Sequence, residues 1–121
     1  MTPADINLII YQGATFKKEF QWKIGNPATA VDMTGFTIRM QIREKLKDDL
    51  FVVELTTENS KIVISDPTDG RFYLILDDTE TADLTIKSGV YDIEVVDLSG
   101  TVERLIKGSV SISPEVTRPI L

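Results

Sequence analysis

The sequence predicts an all-β fold, an antiparallel β-sandwich of seven to eight strands with one short helix, on three observations. Apolar residues alternate with polar ones in short runs, the runs recur at near-regular spacing, and Gly, Asn, Asp or Pro stands at the breaks between them. At 121 residues the chain has the size of one domain, and folding should bury roughly 65% of its extended-chain surface, enough for a single core. Parallel βαβ units would need long helical segments between the strands, and the pattern offers none.

Residues 16–24 alternate most clearly. Phe16, Phe20, Trp22 and Ile24 share one parity with Lys18, while Lys17, Glu19, Gln21 and Lys23 take the other, as in a strand with one wet face. Residues 36–43 repeat the arrangement without exception, with Phe36, Ile38, Met40 and Ile42 inward and Thr37, Arg39, Gln41 and Arg43 outward. A helix would scatter these side chains around its circumference. Strands are also expected over 6–11, 51–56, 61–65, 71–76 and 90–97. A last long one covers 101–113, where Gly108 interrupts the alternation and predicts a bulge or bend.

The breaks are turn sequences: Gly25-Asn26-Pro27, Asp32-Met33-Thr34-Gly35, Asp66-Pro67-Thr68-Asp69-Gly70 and Asp97-Leu98-Ser99-Gly100. The one helical candidate is 78–84, with Asp77 or Asp78 as its N-cap and further acid in the first turn to complement the helix dipole. Residues 44–49 lie between two good strands and read as a solvated, charged hairpin loop. Residues 1–113 thus form the sandwich domain and 114–121 an extended C-terminal arm, with no repeat or linker dividing the chain.

One local feature selects among sandwiches. A short helical corner leads into a strand whose early Tyr91 shares its inward parity with Ile93 and Val95. This looks like the tyrosine corner of an immunoglobulin-like domain, in which a buried ring covers the core edge and its hydroxyl bonds to backbone upstream. The cysteine that true immunoglobulin domains carry two residues later is replaced by Ile93, leaving Trp22 as the bulky core contact without a disulfide.

Composition narrows function. With no cysteine and no histidine there is no thiolate nucleophile, disulfide, Cys-ligated zinc site or imidazole base. Thirteen basic against nineteen acidic side chains leave a formal charge of −6, which opposes binding to a polyanionic nucleic acid. The start Met1-Thr2-Pro3-Ala4-Asp5 has no basic leader, and Leu8-Ile9-Ile10-Tyr11 is far too short to span a membrane, so folding in the cytoplasm without a membrane partner is expected.

The remaining candidates have ordinary alternatives. Asp77, Asp78, Glu80 and Asp83, with Asp66 and Asp69 before them, form an oxygen-rich stretch, but its spacing is not that of a calcium loop and caps and turns account for it. A glycosidase pair needs a cleft that a small sandwich has little chain to build. The serines lack a histidine base. Neither catalytic residues nor a cofactor or metal site is expected. Lys17, Lys18, Lys23, Arg39, Arg43, Lys45 and Lys47 concentrate in the first half, either solubilising a sheet face or forming a basic stripe for an acidic partner. In the arm, two prolines bar a central strand, yet the chain ends in Ile120-Leu121. Such an arm packs on its own domain or lies across a neighbour's sheet edge. The candidate partner-binding residues are therefore Val116, Arg118, Ile120, Leu121, Lys45 and Lys47, and the expected core is Phe16, Phe20, Trp22, Phe36, Ile38, Met40, Ile42, Tyr91, Ile93 and Val95.

Several stretches together carry a resemblance. They are Tyr11-Gln12-Gly13-Ala14-Thr15-Phe16, Phe20-Gln21-Trp22-Lys23, the run from Val31 to Arg43, Gly89-Val90-Tyr91-Asp92-Ile93-Glu94-Val95, and the run from Gly100 to Arg118. In that order and spacing the chain resembles small virion proteins of tailed bacteriophages, over nearly its whole length. The resemblance implies an immunoglobulin-like structural component of the particle, present in several copies and bound to other virion proteins at neck, tail or baseplate. Decoration of the head is the alternative, and a host-surface or carbohydrate-binding module ranks lower because Trp22 falls on an apolar parity. The charged segment 44–50 and Ile86-Lys87-Ser88-Gly89 depart from the group's pattern, which bears on loop contacts and on the neighbour they meet.

Overall fold

A computed structural model of the chain describes residues 2–118. Ile120 and Leu121, two of the expected partner-binding residues, lie outside the described residues. Eight strands of four or more residues carry the fold, together with three two-residue pieces. The N-terminal pieces are β1 (Ala4–Asp5) and β2 (Leu8–Tyr11), followed by β3 (Phe16–Gln21), β4 (Lys23–Ile24) and β5 (Thr29–Ala30). The middle of the chain supplies β6 (Thr37–Arg43), β7 (Val53–Thr56), β8 (Ile62–Asp66) and β9 (Arg71–Leu76). After the helix α1 (Asp78–Ala82) come β10 (Ser88–Val96) and β11 (Val102–Ser113).

The strands form an all-β sandwich. The larger sheet runs β1-β11-β10-β6-β7, with β2 also pairing to β11, and the smaller runs β3-β9-β8, leaving β4 and β5 as a small hairpin. The expected antiparallel order needs one correction, because β1 and β2 both pair with β11 in parallel. Chain ends make this possible: the first and last strands meet with no tight turn to force them antiparallel.

Alternation becomes a core where the two sheets face each other. Ile38, Met40, Ile42, Tyr91, Ile93 and Val95 from the large sheet are all buried, against Ile62, Phe72, Leu74 and Leu76 from the small one. Phe16, Phe20, Trp22 and Phe36 are corrected: they pack against this core half-buried rather than within it. The expected strand over 16–24 also breaks at Trp22. Up to Gln21 it pairs with β9, whereas beyond Trp22 the chain turns into β4, where Ile24 is 52% exposed. Main-chain bonds from Trp22 N to Gly70 O (2.8 Å) and from Val31 N to Trp22 O (3.0 Å) fix that corner.

The irregularity expected at Gly108 falls three residues earlier. Ile93 pairs with Ile106 but Glu94 pairs with Arg104, so Leu105 is an extra residue in β11. Leu105 and Ile106 are both buried, and Arg104 and Lys107 on either side both point outward. Gly108 has another reason: a Cβ there would lie 2.0 Å from the Ile6 carbonyl oxygen and 3.2 Å from the Tyr91 ring. The Tyr91 ring lies across this gap and donates its hydroxyl to Ile6 O at 2.6 Å. That partner is upstream, as expected, but 85 residues away between β1 and β2, so the bond ties β10 to the N-terminal segment and not to the helical corner before it.

The corner is built differently. Asp77 caps α1, accepting the Glu80 N–H at 2.8 Å while Glu80 accepts the Asp77 N–H at 3.1 Å. The buried Thr81 donates its hydroxyl to Ala14 O and accepts the Gly13 N–H, tying the helix to the turn after β2. From that turn Gln12 donates to Leu84 O at 3.0 Å and accepts the Glu115 N–H at 3.0 Å, so the same side chain holds the start of the C-terminal arm.

Candidate interaction surface

Among the described residues, three parts of the surface carry features that a partner could read: the outer face of the large sheet, the loop at 44–51 with the arm, and a groove beside Trp22. Strand register brings the first two together at one end. Arg43, the last residue of β6, is level with Val90 of β10, and Ser113, the last of β11, is level with Tyr11 of β2.

The loop keeps the turn expected there. Lys45 N–H donates to the Asp48 carboxylate at 3.1 Å, Asp48 N–H returns to Lys45 O at 3.0 Å, and Arg43 donates to Asp48 O at 3.0 Å. Lys45 and Lys47 are exposed on it. Composition drew attention to these charges, but the more unusual groups are apolar: Leu46 is 84% exposed, Leu50 82% and Phe51 47%. In the sequence Leu46 falls inside the loop expected over 44–49, Leu50 just past it, and Phe51 at the start of the strand expected over 51–56, which in the structure begins only at Val53.

The arm leaves β11 at Ser113 and passes the Gln12 turn, where Glu115 is half-buried. Beyond it Val116 is 89% exposed, and Arg118 is exposed. On the adjacent β2, Ile9 and Tyr11 take the outward parity and are also exposed. Val116 and Arg118 therefore stand at the same end as Lys45 and Lys47, but at the opposite edge of the large sheet.

The groove beside Trp22, of about 440 Å³, opens between β1, β4 and the bulge of β11, and Phe20, Phe72 and Leu105 line it. Trp22 Nε1 is buried there without a hydrogen-bond partner among the described residues. An open hollow of about 980 Å³ lies on the outer face of β6, β10 and β11. Arg39 meets Glu94 at 2.8 Å and Arg104 meets Asp92 at 3.2 Å across it. Partial burial holds the Asp92 carboxyl above its ordinary pKa, a rise that the Arg104 charge opposes.

The acidic stretch has local duties. Asp69 pairs with Arg71 at 2.6 Å, and Asp66 accepts the Thr68 hydroxyl at 3.2 Å. The backbone N–H of Glu80 and the Thr79 hydroxyl hold Asp77 below the usual carboxylate range. Among the described residues no group of three or more acidic side chains is placed to hold a metal ion. No helix among them is long and apolar enough to cross a membrane. No family model matches the chain, and a search of curated proteins returns no match.

Proposed function

We propose that the chain is a non-enzymatic, immunoglobulin-like structural module of a tailed-bacteriophage virion, bound to other virion proteins at neck, tail or baseplate. The observation that carries this reading is the exposed apolar material at one end of the large sheet. Leu46, Leu50 and Phe51 stand at one edge and Ile9, Tyr11 and Val116 at the other, exposures that protein contact would relieve. The strand orders β2-β11-β10-β6-β7 and β3-β9-β8 support the immunoglobulin-like part, since that arrangement sets a GFC-type sheet against a three-stranded one. The resemblance carried by residues 11–16, 20–23, 31–43, 89–95 and 100–118 supplies the phage context.

Mass spectrometry of purified particles should find the protein in a copy number matching a tail or neck ring. Its absence from the particles would overturn the reading, and a copy number matching capsid lattice positions would move it to the head as a decoration protein. Leu46→Ser combined with Phe51→Ser should leave the domain folded and deplete it from the particles. Undiminished incorporation would remove the loop from the interface.

A further inference from the structure

The outer face of the large sheet has its charges sorted by strand. From one edge inward, β7 presents Glu54, β6 presents Arg39 and Arg43, β10 presents Asp92 and Glu94, and β11 presents Arg104 and Lys107. The columns alternate in sign, acid, base, acid, base. Register puts them in common rows: Arg39, Glu94 and Arg104 are level, and so are Glu54, Gln41, Asp92 and Lys107. With Asp5 beside Lys107, the hollow is lined by four basic and four acidic side chains and is neutral. The formal −6 of the molecule therefore resides elsewhere on the chain.

Such a face is complementary to itself. A two-fold axis running along the strands between β6 and β10 exchanges basic columns with acidic ones, row by row. It sets Arg39 against the partner's Glu94, Gln41 against the partner's Asp92, and Glu54 against the partner's Lys107. A two-fold axis across the strands would instead bring Arg39 against the partner's Arg43 and Asp92 against the partner's Asp92, which is repulsive. A partner of uniform charge gains nothing from a neutral face, whereas a second copy gains in the rows of Arg39 and Gln41; Arg43, level with Val90, adds no ion pair. The Arg39–Glu94 bridge uses Nε and Oε1 and leaves the terminal guanidinium nitrogens and Oε2 for a second contact.

We propose that this face pairs with the same face of a second copy of the chain about that axis, forming a two-fold dimer. The pairing does not depend on the role proposed above. Four strands about 4.8 Å apart and about five residues long at about 3.4 Å each make a face of roughly 300 Å², small beside the roughly 800 Å² per partner of a standard interface, so the dimer is weak and salt-sensitive.

Sedimentation velocity of the full chain at rising concentration in low salt should show a monomer–dimer equilibrium that added salt dissociates. Arg39→Glu and Glu94→Arg should each weaken self-association roughly a hundredfold, since each places like charges together twice about the axis. Mixed in equal amounts, the two variants should associate again, because the acid introduced on β6 of one variant faces the base introduced on β10 of the other. Arg39→Gln, which introduces no new charge, should weaken the dimer about tenfold. Lys17→Glu makes the same net-charge change on the smaller sheet and should leave association unaltered. A chain that stays monomeric in low salt, an Arg39→Glu variant that dimerises like the parent, a mixture that fails to associate, or an equal loss in Lys17→Glu would each overturn the proposal.

Discussion

The inward residues of β10 and of β3 come from the same kind of alternating sequence, yet they meet different surroundings. In β10, Tyr91, Ile93 and Val95 are 4%, 0% and 2% exposed, whereas in β3 Phe16 and Phe20 stay half-buried, and so does Trp22 just beyond it. Position in the sheet makes the difference. β10 has β6 on one side and β11 on the other, and the small sheet covers its inner face. β3 is the edge of a three-stranded sheet, with β9 on one side only, so its large side chains overlap the core instead of filling it. Parity reports which face a residue takes. It does not report how much of the opposite layer lies over that face.

The sharpest way to break this contrast is at its buried extreme. Ile93→Ala removes a side chain with no exposure at the middle of the central strand, and should cost about 4 kcal/mol in urea denaturation. A cost near 1 kcal/mol would mean that the centre of the large sheet is no better packed than its edge. Gly108→Ala tests the same region from the opposite direction, by overfilling. The added methyl would meet a backbone carbonyl, so the N-terminal segment must move, at a cost of about 3 kcal/mol. A neutral result would show that Ile6 yields easily and that β1 is loosely held.

At the edge, Trp22→Ala should cost about 2 kcal/mol, less than the 3 to 5 of a fully buried ring. The companion Trp22→Phe is more pointed, because Trp22 Nε1 is buried without a partner. Removing an N–H that makes no hydrogen bond forfeits only packing, so Phe should recover most of what Ala loses. If Trp22→Ala matched Ile93→Ala, the edge and the centre would be equivalent and the contrast would fail.

Legibility follows the same line. Local signals read well: β9 begins and ends where the alternation of 71–76 does, Asp77 is the cap, and 44–49 is a loop. These depend on a few neighbouring residues. What the pattern did not disclose depends on residues far apart in the chain. The parallel pairing of β2 with β11, the bulge at Leu105 and the bond from Tyr91 to Ile6 each involve partners brought together only by the finished fold. The surface divides in the same way. Lys45 and Lys47 stand out by charge and Val116 and Arg118 by their place in a proline-bounded arm, and the structure places all four in the open. The charge columns of the large sheet are different, since Arg39, Asp92, Glu94 and Arg104 become a pattern only when register sets them side by side.

Tyr91→Phe gives the smallest effect and the one with a pH signature. At neutral pH it should cost about 1 kcal/mol, the loss of one hydrogen bond to Ile6 O. Burial first, and the nearby Asp5 charge second, push the Tyr91 hydroxyl up to about 12 from the ordinary value of 10.0. Between those two values the folded chain keeps a proton that the unfolded chain has released, so the linkage runs against folding as pH rises. The contribution of Tyr91 is whole below about pH 10 and is lost as pH climbs from there towards 12. Tyr91→Phe has no such proton, while every other titrating group is common to both proteins. The stability difference between parent and variant should therefore hold steady from neutral pH to about pH 10 and then shrink. A difference that stays constant across that window would mean the phenol is as free to ionise folded as unfolded, and that the ring at the centre of the large sheet is as open to water as those at the edge of the small one.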